Sequence, residues 1–252
     1  MKLDRRHTLK ALAGLALCPL CAGIARADEG VHWGYDGDHG PAHWGELDKA
    51  SNVCGAGAQQ SPIDIGPTIR AELPELKIDW SKGVEKIVNN GHTIQVNVKP
   101  GSTLELGDQT YQLLQFHFHR PSEHTVAGKH FPMEVHFVHK NDAGLAVVGV
   151  LMETGDKNPL FAEVIDEMPR EAGKSAALDG DLHPEDLLPK ARSYYRYTGS
   201  LTTPPCSETV EWLLMTEPVE VASSDVDAFA KLYAMNARPV QKPHRRFVLR
   251  SG

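Results

Sequence analysis

The chain is predicted to fold as an α+β, mainly β domain. Three observations predict it: many short strand-like runs, helical spacing in only two places, and no repeat, low-complexity tract or linker dividing the body. Residues 31–65 are rich in Gly, His, Trp and Pro, a composition that reads as an irregular segment laid over the body. Strand-like runs follow at 86–98, 103–106, 110–119, 133–140, 145–152, 194–197 and 209–217, many separated by Gly, Asn or Asp. Leu160, Phe161, Val164, Ile165 and Met168 then recur at helical spacing and form one apolar face. A second such face, Val226, Phe229, Leu232, Tyr233 and Asn236, follows Ser223 and Ser224, a pair that can cap a helix start.

The first 27 of the 252 residues read as an export signal rather than as part of this fold. Asp4-Arg5-Arg6-His7-Thr8-Leu9-Lys10 carries paired arginines, 11–20 is apolar but too short to span a bilayer, and Ala25-Arg26-Ala27 offers a cleavage site. The pattern fits a twin-arginine signal, with general secretion as the alternative route and a periplasmic or secreted destination either way. Leucine precedes both Cys18 and Cys21 where lipidation would want a small residue. Residues 28–252 are left as one domain with 21 basic and 32 acidic residues, a formal charge of −11 that argues against nucleic acid. No further apolar run is long enough to span a membrane.

Chemistry enters with His117-Phe118-His119 and the later run Glu134-Val135-His136. Side chains alternate along a strand, so His117 and His119 share a face with Gln115, while Phe116 and Phe118 point to the other side. Glu134 and His136 likewise share a face, and a neighbouring strand can add a third imidazole with a carboxylate behind it to orient the ring. Three neutral nitrogen ligands with an open fourth position describe a catalytic zinc site. An HxH pair alone also occurs on ordinary strands. Here the surrounding Tyr111, Leu113, Leu114, Val135, Phe137 and Val138 put the histidines in a core or cleft, where an imidazole needs a partner.

Around these residues the sequence resembles the α-class carbonic anhydrases in their bacterial, exported form. The resemblance rests on His32-Trp33-Gly34-Tyr35, Gly40-Pro41-Ala42-His43-Trp44, Gln60-Ser61-Pro62-Ile63, Asn89-Asn90-Gly91-His92, Gln115-Phe116-His117-Phe118-His119, Ser122-Glu123-His124, Glu134-Val135-His136, Gly144-Leu145-Ala146-Val147, Gly199-Ser200-Leu201-Thr202-Thr203-Pro204-Pro205 and Asn236-Ala237-Arg238-Pro239. These occur in the family's order over about residues 31–250.

The resemblance implies a large, twisted, mostly antiparallel central sheet with short peripheral helices and zinc, one per chain, at the base of a conical cleft. It implies reversible hydration of carbon dioxide to bicarbonate and a proton by zinc-bound hydroxide, with ester hydrolysis as a side activity. His117, His119 and His136 become the ligands, with Gln115 and Glu134 behind them. Thr202 and Glu123 become the pair that orients the hydroxide, Val138, Val147, Leu201 and Trp212 the apolar substrate wall, and Thr203 a neighbour of the bicarbonate. His92 becomes the proton shuttle, with Tyr35 and Asn90 in its water network. Histidine suits that task because it titrates near neutrality. Bacterial members pair cysteines where Cys54 and Cys206 stand, and two cysteines in an exported domain suit one disulfide. A homodimer is compatible with the family. His124 and His139 are structural in it, while His39, His130, His183 and His244 sit in polar contexts that suggest exposure.

Two rival readings make different demands. His117-x-His119-x-x-x-Glu123 also matches the spacing of a cupin metal site, in which Glu123 would be a ligand for iron or manganese. That reading lacks the cupin's second glycine- and proline-bearing motif and leaves 201–205 unexplained. A non-catalytic relative that only binds is the other rival, but the chain keeps all three histidines, Glu123 and Thr202.

Overall fold

Apolar residues in alternation, set between turn-forming ones, build one large sheet. Its centre is β1 Val84–Asn89, β2 Ile94–Val98, β3 Gln109–His119, β4 Met133–Asn141, β5 Gly144–Thr154, β6 Tyr194–Gly199 and β7 Val210–Met215. In the computed structural model, which describes residues 32–80, 83–178 and 182–252, these strands lie in the order β1-β2-β3-β4-β5-β7-β6. The expected signal over 1–27, with Cys18 and Cys21, lies outside the described residues. Ser175–Ala177 extends the sheet beyond β1, and Leu249–Ser251 and then Ile69–Ala71 extend it beyond β6. Pairing in this sheet is antiparallel except where β5 meets β7 and Val219–Val221, and where Leu249–Ser251 meets Ile69–Ala71. A sheet this wide accumulates the right-handed strand twist.

The two faces differ. On one, Phe116, Phe118, Val135, Phe137, Val148 and Val150 join the main core, against which α1 Pro159–Glu167 and α2 Ser223–Ala230 pack through Phe161, Val164, Val226 and Phe229. Each of these phenylalanines is fully buried, and a buried Phe contributes about 1.5–3 kcal/mol. Asn158 starts α1 by accepting the Phe161 N–H, and Pro159 takes the first helical position. On the other face the histidines sit beside a smaller apolar cluster that includes Val147, Trp212 and Leu214.

Three expectations are corrected. The run 86–98 is a hairpin rather than one strand, because Asn89 Oδ1 accepts the Gly91 N–H and Asn90 Oδ1 accepts the N–H groups of His92 and Thr93. These local bonds compete with the strand ladder, and Gly91 takes a φ of +89° that favours glycine. The second helix stops at Ala230, short of Asn236. Ser223 is its first helical residue and Ala222 the cap, so the serine pair does not cap it. Ile69–Ala71, Leu76–Asp79, Ser175–Ala177, Val219–Val221 and Leu249–Ser251 are further strands of three or four residues, outside the runs read from the sequence.

Candidate metal centre

Register brings the histidines together. His117 of β3 lies opposite His136 of β4, and Glu134 lies opposite His119. The row through His117 and His136 continues to Gln95 of β2 on one side and Gly149 of β5 on the other. The next row runs Asn97, Gln115, Val138, Val147, Trp212, Tyr197 across β2, β3, β4, β5, β7 and β6. It changes from amides to apolar side chains as it crosses the sheet. Ring centroids of the three histidines are 4.5–5.4 Å apart, and their ligand atoms lie within 4.8 Å of one another.

Each ring has one nitrogen occupied. His117 Nδ1 donates to Gln115 Oε1 at 2.9 Å, His119 Nδ1 to the Asn236 carbonyl at 2.8 Å, and His136 Nε2 to Glu134 Oε1 at 2.8 Å. These acceptors fix the tautomers and leave lone pairs on His117 Nε2, His119 Nε2 and His136 Nδ1. His119 Nε2 is buried without a hydrogen-bond partner, as a nitrogen reserved for a metal would be. Burial drives the pKa of His117 well below its ordinary value, and its neighbours His119 and His136 add to the fall. Burial also lowers His119, against the pull of Glu123. Both rings are therefore neutral, the form that ligates metal.

Behind His136 the Glu134 carboxylate is shared. Oε1 also accepts from His124 Nδ1 at 2.7 Å, and Oε2 accepts the His124 backbone N–H at 2.8 Å. Burial alone would raise the pKa of Glu134, but the His124 and His136 imidazoles outweigh it and hold the carboxyl well below the usual range. His124 Nε2 meets the Tyr197 hydroxyl at 2.6 Å, which reaches Ser61 Oγ at 3.0 Å.

Glu123 is fully buried. Its Oε1 accepts the Arg238 backbone N–H at 2.8 Å, and its Oε2 lies 3.6 Å from His119 Nε2 with no hydrogen-bond partner. The expected bond from Thr202 to Glu123 is not formed in this structure. Thr202 is itself buried, on a segment pinned at several points. Trp212, 4.8 Å from the His136 ring, donates its indole N–H to the Ser200 carbonyl at 3.0 Å. The Leu201 N–H goes to Ser207, the Cys206 N–H goes to Thr203, and Cys206 is bonded to Cys54. Val147 and Trp212 are buried, with Val138 and Leu201 packed against the same cluster.

Toward the rim, the His92 ring stacks on Trp33 at 3.6 Å, and Trp33 meets Tyr35 and Trp44 edge-on. Burial, then the Glu123 charge, pushes the Tyr35 phenol well above its usual pKa. Asn90 Nδ2 contacts Gln95 Oε1 at 3.4 Å, and Gln95 Nε2 contacts Asn97 Oδ1 at 2.7 Å, so a line of amides joins the His92 turn to the row through Gln115.

Residues 39–252 match the family model described as eukaryotic-type carbonic anhydrase. The chain belongs to that family. It is 40% identical to a carbonic anhydrase of Pectobacterium carotovorum over 96% of this chain and all of the relative. A carbonic anhydrase of Nostoc is 38% identical over 98% of this chain and 97% of its own. The solved α-carbonic anhydrase of Thermovibrio ammonificans, in complex with sulfanilamide, superposes with a TM-score of 0.85 at 44% identity, covering 87% of this chain and 99% of that one. As a carbonic anhydrase, this chain is a zinc enzyme that hydrates carbon dioxide reversibly.

The carbonic anhydrase site also uses groups that sequence reasoning did not single out. Asn236 offers its backbone carbonyl to His119, accepts the Arg120 N–H on Oδ1, and donates from Nδ2 to the carbonyls of His92 and Phe118. A backbone acceptor leaves no trace in side-chain identity. Arg238 places its guanidinium on the Ser61 and Cys54 carbonyls, each at 2.8 Å, and over Trp44. Burial lowers its pKa to about 10, against the pull of Glu123. His39, His130 and His244 are exposed as expected, whereas His183 is half-buried. Glu123 is not part of any three-residue group among the described residues that can hold a metal, which disfavours the cupin arrangement.

Proposed function

We propose that His117 Nε2, His119 Nε2 and His136 Nδ1 hold the zinc of this carbonic anhydrase. The observation that carries the reading is the convergence of three imidazoles whose opposite nitrogens are all engaged. Bound zinc supplies the Lewis acidity that makes a nucleophilic hydroxide available near neutral pH, an effect for which carbonic anhydrase is itself the standard worked example. Thr202 would aim that nucleophile by accepting a hydrogen bond from it, and would donate its own hydroxyl hydrogen to the Glu123 oxygen that has no partner. Val138, Val147, Leu201 and Trp212 give carbon dioxide a dry wall, and Thr203 lies beside bicarbonate. His92 carries the product proton outward, with Tyr35 and Asn90 ordering the water path. Ester hydrolysis accompanies hydration because the same nucleophile attacks accessible carbonyls.

The enzyme works in an oxidising compartment, periplasmic or secreted, after residues 1–27 direct export and are removed, leaving 28–252 as one domain. The Cys54–Cys206 disulfide supports this. No helix among the described residues is long and apolar enough to cross a membrane. The test is zinc analysis and carbon dioxide hydration on the exported, oxidised protein. One zinc per chain is expected, with hydration lost on chelation and restored by zinc. Hydration that survives complete zinc removal would overturn the reading.

A further inference from the structure

Gly149 stands in the middle of β5, buried, opposite His136 on one side and Leu214 on the other. Glycine is unfavourable inside a strand, because it loses backbone freedom and gives its neighbours nothing to pack against. Its φ lies outside the left-handed region, so the backbone does not require it. What this position does require is the lack of a side chain. A Cβ here would lie 2.9 Å from Leu214 Cδ1 and 3.2 Å from Glu134 Oε1. Leu214 can turn its terminal methyl, but Glu134 Oε1 is held on both sides, by His136 Nε2 at 2.8 Å and His124 Nδ1 at 2.7 Å.

We propose that Gly149 is a positioning residue for the metal centre. By presenting no side chain it makes the seat from which one carboxylate oxygen of Glu134 holds His136 and His124 together. A methyl group at this position forces the carboxylate oxygen to shift by a few tenths of an ångström, which strains the bond that fixes the tautomer and ring angle of His136. The inference rests on His136 as a zinc ligand and goes beyond that reading by naming what keeps the ring in place.

The test is Gly149→Ala, read as the rate of zinc loss to a chelator and as the visible spectrum of the cobalt-substituted protein. Weakening of Glu134's grip should speed zinc release about tenfold or more, the usual effect of disturbing a group behind a ligand. In a Glu134→Ala background the same substitution should leave zinc release unchanged, because the carboxylate it displaces is already gone. If Gly149→Ala folds poorly, Gly149→Ala with Leu214→Val relieves the packing clash and should fold while still releasing zinc fast. Unchanged zinc release in Gly149→Ala, or equal acceleration with and without Glu134, overturns the inference. A wild-type protein that holds no zinc overturns the ligand reading instead.

Discussion

The floor and the rim of the cleft are held in different ways. On the floor every histidine is set by a strand, faces a partner across the ladder and has one nitrogen tied to a fixed acceptor. At the rim His92 leaves a turn held by Asn89 and Asn90 side chains, and its ring lies flat on one indole. The floor suits a group that must not move between turnovers, and the rim suits one that must exchange protons with solvent. Asn236 joins the two, since its carbonyl holds the His119 ring and its amide holds the His92 carbonyl.

The contrast predicts an order of effects. His119→Ala breaks the floor: bound zinc should fall well below one per chain and hydration by roughly a thousandfold or more, because two nitrogens do not complete a tetrahedral site. Normal zinc content in that variant would place the ligand elsewhere. Thr202→Ala should keep its zinc and lose roughly a hundredfold in kcat/KM, the size of effect seen when one positioned hydrogen-bonding group is removed. Loss of metal there would show that Thr202 belongs to the scaffold rather than to the reaction.

Acid should separate the regions as well. His139, on the reverse face of β4, is held by burial at a pKa of about 3, so the folded protein keeps it neutral while the unfolded chain protonates it below about 6.5. The unfolded state then binds the extra proton, and stability falls as pH drops from about 6.5 toward 3. The loss at pH 4 is about 3 kcal/mol from this group, and His139→Leu should flatten the dependence of the apo-protein's Tm on pH across that window. An unchanged slope would mean that His139 takes no part in acid lability.

The smallest effect belongs to the rim. His92→Ala should lower kcat in dilute buffer about tenfold, below the usual range for a proton-transfer group because buffer shares the task, and should leave kcat/KM nearly untouched. Imidazole buffers should restore most of the loss. A matching fall in kcat/KM would move His92 to the floor's side of the comparison.

How far the sequence could be read follows the same division. His117, His119, Glu134 and His136 were legible because strand geometry repeats every two residues, so spacing alone puts them on shared faces. Val138, Val147 and Trp212, proposed as the substrate wall, form one row across three strands, but the pairing that joins the third strand to the other two is not written in local pattern. They are assigned only through family resemblance, as are Thr202 and Glu123. The hairpin at 86–98 was misread because asparagine side chains, not apolar periodicity, end the strand there. The helix expected to reach Asn236 ends at Ala230, and Asn236 beyond it bonds instead with His119, Arg120, His92 and Phe118.

The disulfide closes a covalent ring of sequence separation 152 between Cys54 and Cys206. His92, His117, His119, Glu123, His136 and Thr202 all lie within that ring. Asn236 and Arg238, which grip His119 and Glu123, lie beyond it and close the site from outside without a covalent tie. A chain emerging from its N-terminus therefore owns all three proposed metal-binding side chains long before it owns the carbonyl that aims one of them. Proteolytic loss of the segment beyond Cys206 in the oxidising compartment would leave a sealed ring with a complete histidine set and a loosely aimed His119.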